Sequence, residues 1–301
     1  MRYKKILVTG GSGMVGRSLK DINPNAYYLS SSDCDLTNQL EVEQLFEEYN
    51  PDCVIHLAAK VGGLISNIKF PADYFTENIL MNTLVMDAAK RHGVKRFISI
   101  LSSCIYPDVA PNYPMNESVL HDGPPPDGNF SYGYAKRCLA VQTEAYNKQF
   151  GLNYQFLNPS NLYGEYDKYD KNSHFIADLI KKIIDAKKEK SDKITLFGTG
   201  APLRQFIHSS DLANVIWECV ENDIYTNMNV ASNEVLSIHQ MAEIGLKSCD
   251  ATHLKIEYDT TKPDGQYRKD ISITKLLEEI PTFNPIPLSD GIKRVYLKLN
   301  R

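Results

Sequence analysis

The sequence has little of what marks specialised classes of protein. Its 301 residues contain no apolar run of membrane-spanning length, no internal repeat and no low-complexity tail. The net charge is -4 and no basic stripe is interleaved with aromatic residues, so no general attraction to nucleic acid is indicated. We therefore expect no membrane association and no nucleic-acid partner. The composition is that of an ordinary soluble globular protein.

Cysteine is present, but not in the spacing of a metal site. The chain has no Cys-x-x-Cys pair and no metal-ligand pattern, so we predict no bound metal. The first residues turn glycine-rich too soon for a secretory signal peptide. A reduced, cytoplasmic protein is the expectation. The cysteines are scattered along the chain at Cys34, Cys53, Cys104, Cys138, Cys219 and Cys249.

Short apolar segments alternate with longer amphipathic ones over the first half of the chain. Strands are predicted at 5–9, 26–29, 53–58, 96–101 and 154–157. Helices are predicted from residue 14, at 38–49, at 71–92 and at 132–150, and prolines make residues 107–129 an irregular loop. This alternation indicates an α/β fold with a parallel sheet.

A glycine series follows the first strand and opens the next helix. Gly10, Gly13 and Gly16 form the pattern Gly-x-x-Gly-x-x-Gly. Glycine allows the backbone to turn tightly and to approach a pyrophosphate, which then rests on a helix N-terminus. In this context we favour a dinucleotide-binding loop over an ordinary tight turn. The fold is then a Rossmann-type doubly wound parallel sheet.

The end of the second strand bears on the choice of dinucleotide. An acidic residue there would bind the ribose 2′-hydroxyl and repel a 2′-phosphate. The chain instead has Ser30, Ser31 and Ser32, with Asp33 and Asp35 following. The serines leave room for a phosphate but supply no cation. We predict NADPH/NADP+ as the cofactor, with Ser31 and Ser32 as the contacts to the 2′-phosphate.

Three polar residues suit proton delivery to a ketone that receives a hydride. Tyr132 and Lys136 are four apart at the start of a helix and project from one face. A nearby ammonium is expected to bring the pKa of the phenol down toward the working range. Ser102, at the end of a neighbouring strand, would orient the carbonyl oxygen. A second such pair, Tyr258 and Lys262, precedes a Pro-Asp-Gly turn and is interpreted as surface structure.

The alternation of strands and helices loosens after Gly164. A helix is predicted around 174–187, and short elements follow it. We predict a cofactor-binding domain of residues 1–163 plus about 208–232, and a smaller α/β substrate-binding lobe of residues 164–207 and 233–301. The lobe is expected over the carboxyl edge of the sheet, where ligands bind in open α/β folds.

Several motifs together resemble the extended short-chain dehydrogenases/reductases, most closely the GDP-L-fucose synthase family of epimerase-reductases. The runs specific to that branch are Lys60-Val61-Gly62-Gly63 and Ser102-Ser103-Cys104-Ile105-Tyr106-Pro107. The glycine loop and the Tyr132/Lys136 pair are common to the superfamily. Further matches are Pro159 to Gly164, Asn172-Ser173-His174, Arg204-Gln205-Phe206 and Lys262 to Gly265.

The resemblance implies a function for Cys104. In related sugar-nucleotide dehydratases, an acidic residue stands where this chain has Cys104. In the fucose synthases the matching cysteine is the base that removes protons from C3 and C5, and the histidine matching His174 is the partner acid. The implied catalytic set is Ser102, Tyr132, Lys136, Cys104 and His174.

The resemblance also implies the ligand contacts and a homodimer. The GDP-sugar is expected to meet Lys182, Arg204 and Lys269 through its diphosphate, and Phe197 stands where a tryptophan lies near the guanine. Besides Tyr132, Lys136 and His174, the residues expected to contact the cofactor are Gly10, Ser12, Gly13, Met14, Val15, Ser31, Ser32, Asp35, Leu36, Leu57, Ala58, Ala59, Pro159, Asn161 and Leu162.

One segment departs from the family pattern and keeps alternatives open. Family members usually carry Gly-Pro-His-Asp-Asn-Phe where this chain has Gly164-Glu165-Tyr166-Asp167-Lys168-Tyr169. The main hypothesis is a bifunctional, NADPH-dependent epimerase-reductase of a GDP-4-keto-6-deoxy sugar. One alternative is a C4-reductase alone, acting on a related sugar such as a heptose. Another, of a different class, is a non-catalytic NAD(P)-binding protein.

Overall fold

The structure is a computed structural model that describes residues 2–169 and 174–300. Its strands are β1 (Ile6–Thr9), β2 (Tyr27–Leu29), β3 (Cys53–His56), β4 (Arg96–Ile100), β5 (Gln155–Pro159), β6 (Asn161–Tyr163), β7 (Lys193–Phe197), β8 (Leu203–His208), β9 (Met228–Val230), β10 (Val235–Ser237) and β11 (Lys255–Asp259).

The helices flank these strands in chain order. They are α1 (Met14–Ile22), α2 (Gln39–Tyr49), α3 (Leu64–Lys69), α4 (Pro71–Arg91), α5 (Phe130–Phe150), α6 (Phe175–Glu189), α7 (Ser209–Glu221), α8 (Ile238–Ser248), α9 (Thr274–Glu279) and α10 (Leu288–Leu299). Among the described residues, no helix is both long and apolar enough to cross a membrane.

The central sheet is parallel, with strand order β2-β1-β3-β4-β5-β9. Strands β1, β3, β4 and β5 are buried along their whole length, as expected for a parallel sheet covered on both faces. The strand order reverses direction between β1 and β3, and ligands of doubly wound sheets bind outside the carboxyl ends at such a point. The predicted α/β fold with a doubly wound parallel sheet is confirmed.

The smaller sheets lie later in the chain. Strands β10, β8 and β6 form one of them, and β11 pairs with β7 in the other. The buried apolar residues form two clusters, one around the central sheet and one that contains most of the apolar side of α6 together with parts of α8 and α10. Ile271, Ile273, Leu276 and Ile280, late in the chain, belong to the first cluster.

Two local features differ from the expectation. Helix α3 was not predicted, since its six residues are too few to show a helical period. The proline-rich loop contains two short 3₁₀ turns, Glu117–His121 and Asp127–Asn129. The second of these turns contacts α3 and leads directly into α5, so it sets where that helix begins.

The turn after β4 rests directly on the first turn of α5. A Cβ added at Gly133 would lie 2.6 Å from the carbonyl oxygen of Cys104 and 2.8 Å from Cβ of Pro125. Both distances are far inside van der Waals contact, and one of the atoms belongs to the backbone. Glycine is therefore required here by close approach rather than by an unusual backbone angle.

We expect Gly133→Ala to lower the free energy of unfolding by about 1–3 kcal/mol, because the turn must shift away from the helix. Gly63→Ala is the matched control, since an added Cβ there meets nothing within 4 Å. Urea unfolding of both variants measures the difference. Equal stabilities for Gly133→Ala and the wild-type protein would contradict the close contact.

Candidate active site

The glycine loop is packed between the ends of three strands. Gly10 has φ of +70°, and a Cβ there would lie 2.7 Å from the amide nitrogen of Ala58. The amide of Gly11 donates to the carbonyl of Leu29 at 2.7 Å. A Cβ on Gly16 would lie 2.6 Å from the carbonyl oxygen of Gly10. The loop therefore lies against Leu57 and Ala58 after β3, and Ala59 is the next residue along the chain. Such close packing of backbone is what a phosphate-binding glycine loop requires.

Helix α1 presents its N-terminus at this loop. Gly13 occupies the N-cap position without a side-chain cap, and the first turn, which contains Met14 and Val15, carries no acidic residue. Ser12 beside it is exposed. Unpaired backbone N–H groups and the positive end of the helix dipole favour an anion at this position.

The serines after β2 differ in their partners. Ser30 donates to Oδ2 of Asp33 from its backbone amide at 2.7 Å and from its hydroxyl at 2.6 Å. These hydrogen bonds lower the pKa of Asp33, so this exposed carboxylate is already paired. Ser31 and Ser32 are exposed, and Ser32 lies 2.7 Å from the Ser30 hydroxyl.

The other predicted cofactor contacts lie in two places, in the loop after β2 and on β5 and β6. Asp35 accepts hydrogen bonds from Thr37, and Leu36 beside it is half-buried. Pro159 ends β5, while Asn161 and Leu162 belong to β6. The side chain of Asn161 donates to the backbone carbonyl of Gln205 at 2.9 Å. The cofactor roles of these residues stay predictions.

Ser102, Tyr132 and Lys136 come together at the carboxyl end of β4. Ser102 and Tyr132 are half-buried, and the Ser102 hydroxyl is close enough to the phenol to lower its pKa. Lys136 is 2% exposed, and its Nζ donates to the carbonyl of Ile100 at 2.7 Å. Burial lowers the pKa of Lys136 to about 8. Residues that are far apart in the sequence are thus brought together in one site.

The expected effect of Lys136 on Tyr132 is not found. Burial raises the pKa of Tyr132, the charge of Cys104 adds to the rise, and the neighbouring Ser102 hydroxyl opposes it. The ammonium of Lys136 is bound to the Ile100 carbonyl rather than to the phenol. Tyr132 is therefore held as a neutral phenol, the form that can donate a proton.

His56 is a site residue that the sequence analysis did not single out. It is fully buried at the end of β3, where Nδ1 lies 2.8 Å from Thr9 Oγ1 and Nε2 lies 3.1 Å from Asn82 Oδ1. Burial, together with the charge of Lys136, lowers its pKa to about 3. The imidazole is neutral, and its two ring nitrogens connect the end of β3 to Thr9 on β1 and to Asn82 on α4.

Cys104 is half-buried and has a polar neighbour in Asn129, the residue that precedes α5. Nδ2 of Asn129 donates to Sγ of Cys104 at 2.8 Å. The backbone amide of Cys104 donates to the Ser102 hydroxyl at 3.3 Å. Lys269 and Arg204 are close enough for the charge of Cys104 to act on their pKa values. The structure therefore brings Cys104 to the same site as Tyr132.

His174 faces a small pocket beside this site. Its Nδ1 lies 3.5 Å from Oδ1 of Asp167, whose side chain is only 5% exposed. Gly62, Ser66 and Tyr74 line the same pocket, and Tyr74 is near enough to Tyr132 to influence its pKa. The matched residues Asn172 and Ser173, just before His174, lie outside the described part of the chain.

The predicted GDP contacts form two groups. Arg204 donates to Leu203 and Asp264 backbone carbonyls at 2.8 and 3.4 Å. Burial lowers the pKa of Arg204 and that of Lys269.

In the second group, Lys182 pairs with Asp178 at 2.8 Å and lies 4.8 Å from the ring centroid of Phe197. Phe197 itself is 59% exposed, which leaves a ring face accessible for stacking.

Comparison with known proteins shows the family to which the chain belongs. Residues 6–231 match the NAD dependent epimerase/dehydratase family. A GDP-L-fucose synthase of Dictyostelium discoideum is 38% identical over 303 residues, which cover 96% of this chain and 93% of that protein.

Two solved structures are similar over almost the whole chain. A GDP-L-fucose synthetase from Naegleria fowleri bound to NADP has a TM-score of 0.90 and 34% identity, covering 99% of this chain and 92% of that one. A GDP-mannoheptose C4 reductase from Campylobacter jejuni with NADP bound has a TM-score of 0.89 and 27% identity, covering 100% and 99%.

Proposed function

Since the chain belongs to the NAD dependent epimerase/dehydratase family, we propose that it is an NADPH-dependent epimerase-reductase of a GDP-4-keto-6-deoxy sugar. It reduces the ketone at C4 and inverts C3 and C5, as a GDP-L-fucose synthase does. The observation that carries this proposal is that Cys104 and Tyr132 lie in one site, near Ser102.

NADPH is the proposed cofactor, and it supplies the hydride that reaches C4. The loop fits it, because the backbone at Gly10 and Gly16 leaves no space for a side chain and α1 offers free amides. Ser31 and Ser32 are the proposed 2′-phosphate contacts. Asp33 accepts two hydrogen bonds from Ser30 and keeps its negative charge, so the two serines are the groups left to contact the phosphate.

In the reduction, Tyr132 donates its phenolic proton to the C4 oxygen. The raised pKa of Tyr132 keeps that proton in place until the ketone oxygen gains charge. Ser102 then stabilises the phenolate by hydrogen bond and orients the ketone. Lys136 places positive charge beneath the site.

In the epimerisation, Cys104 removes a proton from C3 or C5 and His174 returns one from the other face. Both protons are acidic because they are α to the ketone, and the electron pair of the broken C–H bond moves into an enolate. Asp167 faces Nδ1 of His174, which leaves Nε2 for the substrate. Arg204 and Lys269, with Lys182 further along, are the proposed diphosphate contacts.

A C4-reductase acting on a GDP-heptose is the second candidate. The observation in its favour is the similarity to the Campylobacter jejuni heptose reductase. The pocket beside His174 includes the polar side chains of Ser66 and Asp167, and Oδ2 of Asp167 has no hydrogen-bond donor among the described residues. A sugar hydroxyl would satisfy that oxygen. The two candidates differ in whether C3 and C5 exchange with solvent.

The two-lobe division remains part of the proposal. The proposal keeps a cofactor-binding domain of residues 1–163 plus about 208–232, with the remainder as a substrate-binding lobe. The two apolar clusters support this division for most of the chain, but residues 271–280 pack with the cluster around the central sheet. The cytoplasm is the proposed location, because six free thiols suit a reducing compartment.

We expect Tyr132→Phe to slow NADPH oxidation with GDP-4-keto-6-deoxymannose by about 100- to 10,000-fold, because the proton donor is lost. Cofactor binding, measured by fluorescence titration, is expected to persist. Tyr134→Phe, on the exposed side of the same helix, is the matched control. A Tyr132→Phe variant that keeps the wild-type rate would remove the reductase assignment.

We expect Cys104→Ser to lose deuterium incorporation at C3 and C5 when the enzyme turns over in D₂O. Product mass and stereochemistry give the readout, and Cys138→Ser on α5 is the control for losing a thiol. Incorporation at the wild-type rate in Cys104→Ser would exclude it as the base. Reduction by the wild-type enzyme with no deuterium at either carbon would favour the C4-reductase alternative.

A homodimer is proposed through α4 and α5. Residues Tyr134, Cys138, Val141 and Ala145 follow a helical period on α5 and are all exposed, and Leu80 on α4 is exposed too. An apolar stripe of this kind on packed helices suits a second copy of the chain.

Val141→Asp is expected to convert the protein to a monomer, because it places a charge at the centre of the stripe. Light scattering after size exclusion measures the mass. Leu40→Asp, on the exposed face of α2, is the matched control, since Leu40 is 72% exposed outside the stripe. A wild-type monomer, or a Val141→Asp dimer, would contradict this interface.

A further inference from the structure

The side chain of Asn129 is directed at the sulfur of Cys104. Its Nδ2 lies 2.8 Å from Sγ, and both residues are half-buried. Asn129 also occupies the N-cap position of α5, where asparagine ordinarily accepts a hydrogen bond from the helix backbone. It makes no such cap here. The amide is therefore engaged by the cysteine at the expense of the helix end.

Positively charged and polar groups surround Cys104. Arg204 and Lys269 face it from the later part of the chain, and the phenol of Tyr132 faces it from α5. Gly133 allows the cysteine backbone to lie on the first turn of α5, at the positive end of the helix dipole. A thiolate accepts a hydrogen bond from an amide far better than a neutral thiol does.

We propose that Asn129 is a positioning residue that donates a hydrogen bond to the Cys104 thiolate and thereby increases the fraction of the cysteine present as a base at neutral pH. This inference rests on the proposed role of Cys104 in epimerisation. It identifies a group that activates the thiol. Such a group is needed because an ordinary cysteine is mostly protonated at neutral pH. The proton then moves from sugar carbon to sulfur, and no oxidant or reductant takes part.

The test is the rate at which iodoacetamide alkylates Cys104, followed by peptide mass spectrometry in the absence of substrate. Free glutathione, added at the same concentration to every sample, serves as the reference thiol. Loss of a hydrogen bond to a charged group shifts an ionisation equilibrium by about tenfold. Because a less acidic thiol gives a more nucleophilic thiolate, the alkylation rate of Asn129→Ala at neutral pH should fall by about threefold.

The same comparison at high pH separates ionisation from access. At about pH 10 most thiols are ionised, so Asn129→Ala should react at least as fast as the wild-type protein. Asn129→Asp keeps the shape of the side chain but replaces the N–H donor with a carboxylate, and should slow the reaction at neutral pH further. NADPH titration and thermal unfolding verify that both variants are folded.

Three results would overturn the proposal. Equal alkylation of wild type and Asn129→Ala at neutral pH would show that the contact does not act on the thiol. Slower alkylation at both pH values would show a change of access only. Faster alkylation in Asn129→Ala at neutral pH would show that the amide oxygen, rather than its N–H, faces the sulfur. Since no substrate is used, these outcomes are independent of whether the wild-type enzyme exchanges deuterium.

Discussion

The contact between the turn after β4 and the first turn of α5 places the reactive groups together. Without a side chain on Gly133, the carbonyl of Cys104 can approach the helix to a distance that no other residue type permits. Ser102 and Cys104 are then fixed on one side of the contact, and Tyr132 on the other. A single close approach of backbone to backbone therefore joins the groups for proton donation and for proton removal in one site.

Burial of basic side chains is the second constraint on the site. The pKa of Lys136 falls to about 8 and that of His56 to about 3, mainly because burial disfavours their charged forms. Burial also lowers the pKa of Lys269. A cationic site that is short of negative charge gains from an anionic ligand. A diphosphate beside Lys269 and an enolate near Cys104 would each supply negative charge that the protein itself does not provide.

The sequence was sufficient for the fold because its signals are local. Buried strands followed by helices, and glycines directly after the first strand, depend on residues close together in the chain. The pairing of Asn129 with Cys104 could not be predicted in this way, since it joins a proline-rich loop to a strand end 25 positions earlier. Helix α3 was missed because six residues show no clear period. The pKa of Tyr132 was misjudged because spacing on a helix says nothing about the Ile100 carbonyl, which binds the ammonium of Lys136.

In the segment 164–169, which departs from the family pattern, the effect of each substitution depends on what the side chain contacts. Glu165 lies 3.0 Å from the ring of His208 and 3.0 Å from Arg294, and the hydroxyl of Tyr166 donates to Asp21. These two side chains thus connect the segment to α1, β8 and α10. Asp167, which keeps the residue type of the family, is the one that faces His174. Glu165 and Tyr166 therefore anchor the segment without entering the pocket, and these two departures are compatible with unchanged chemistry at His174. Lys168, a further departure, lines the pocket beside His174, so it is the position of this segment where the altered sequence bears directly on the site.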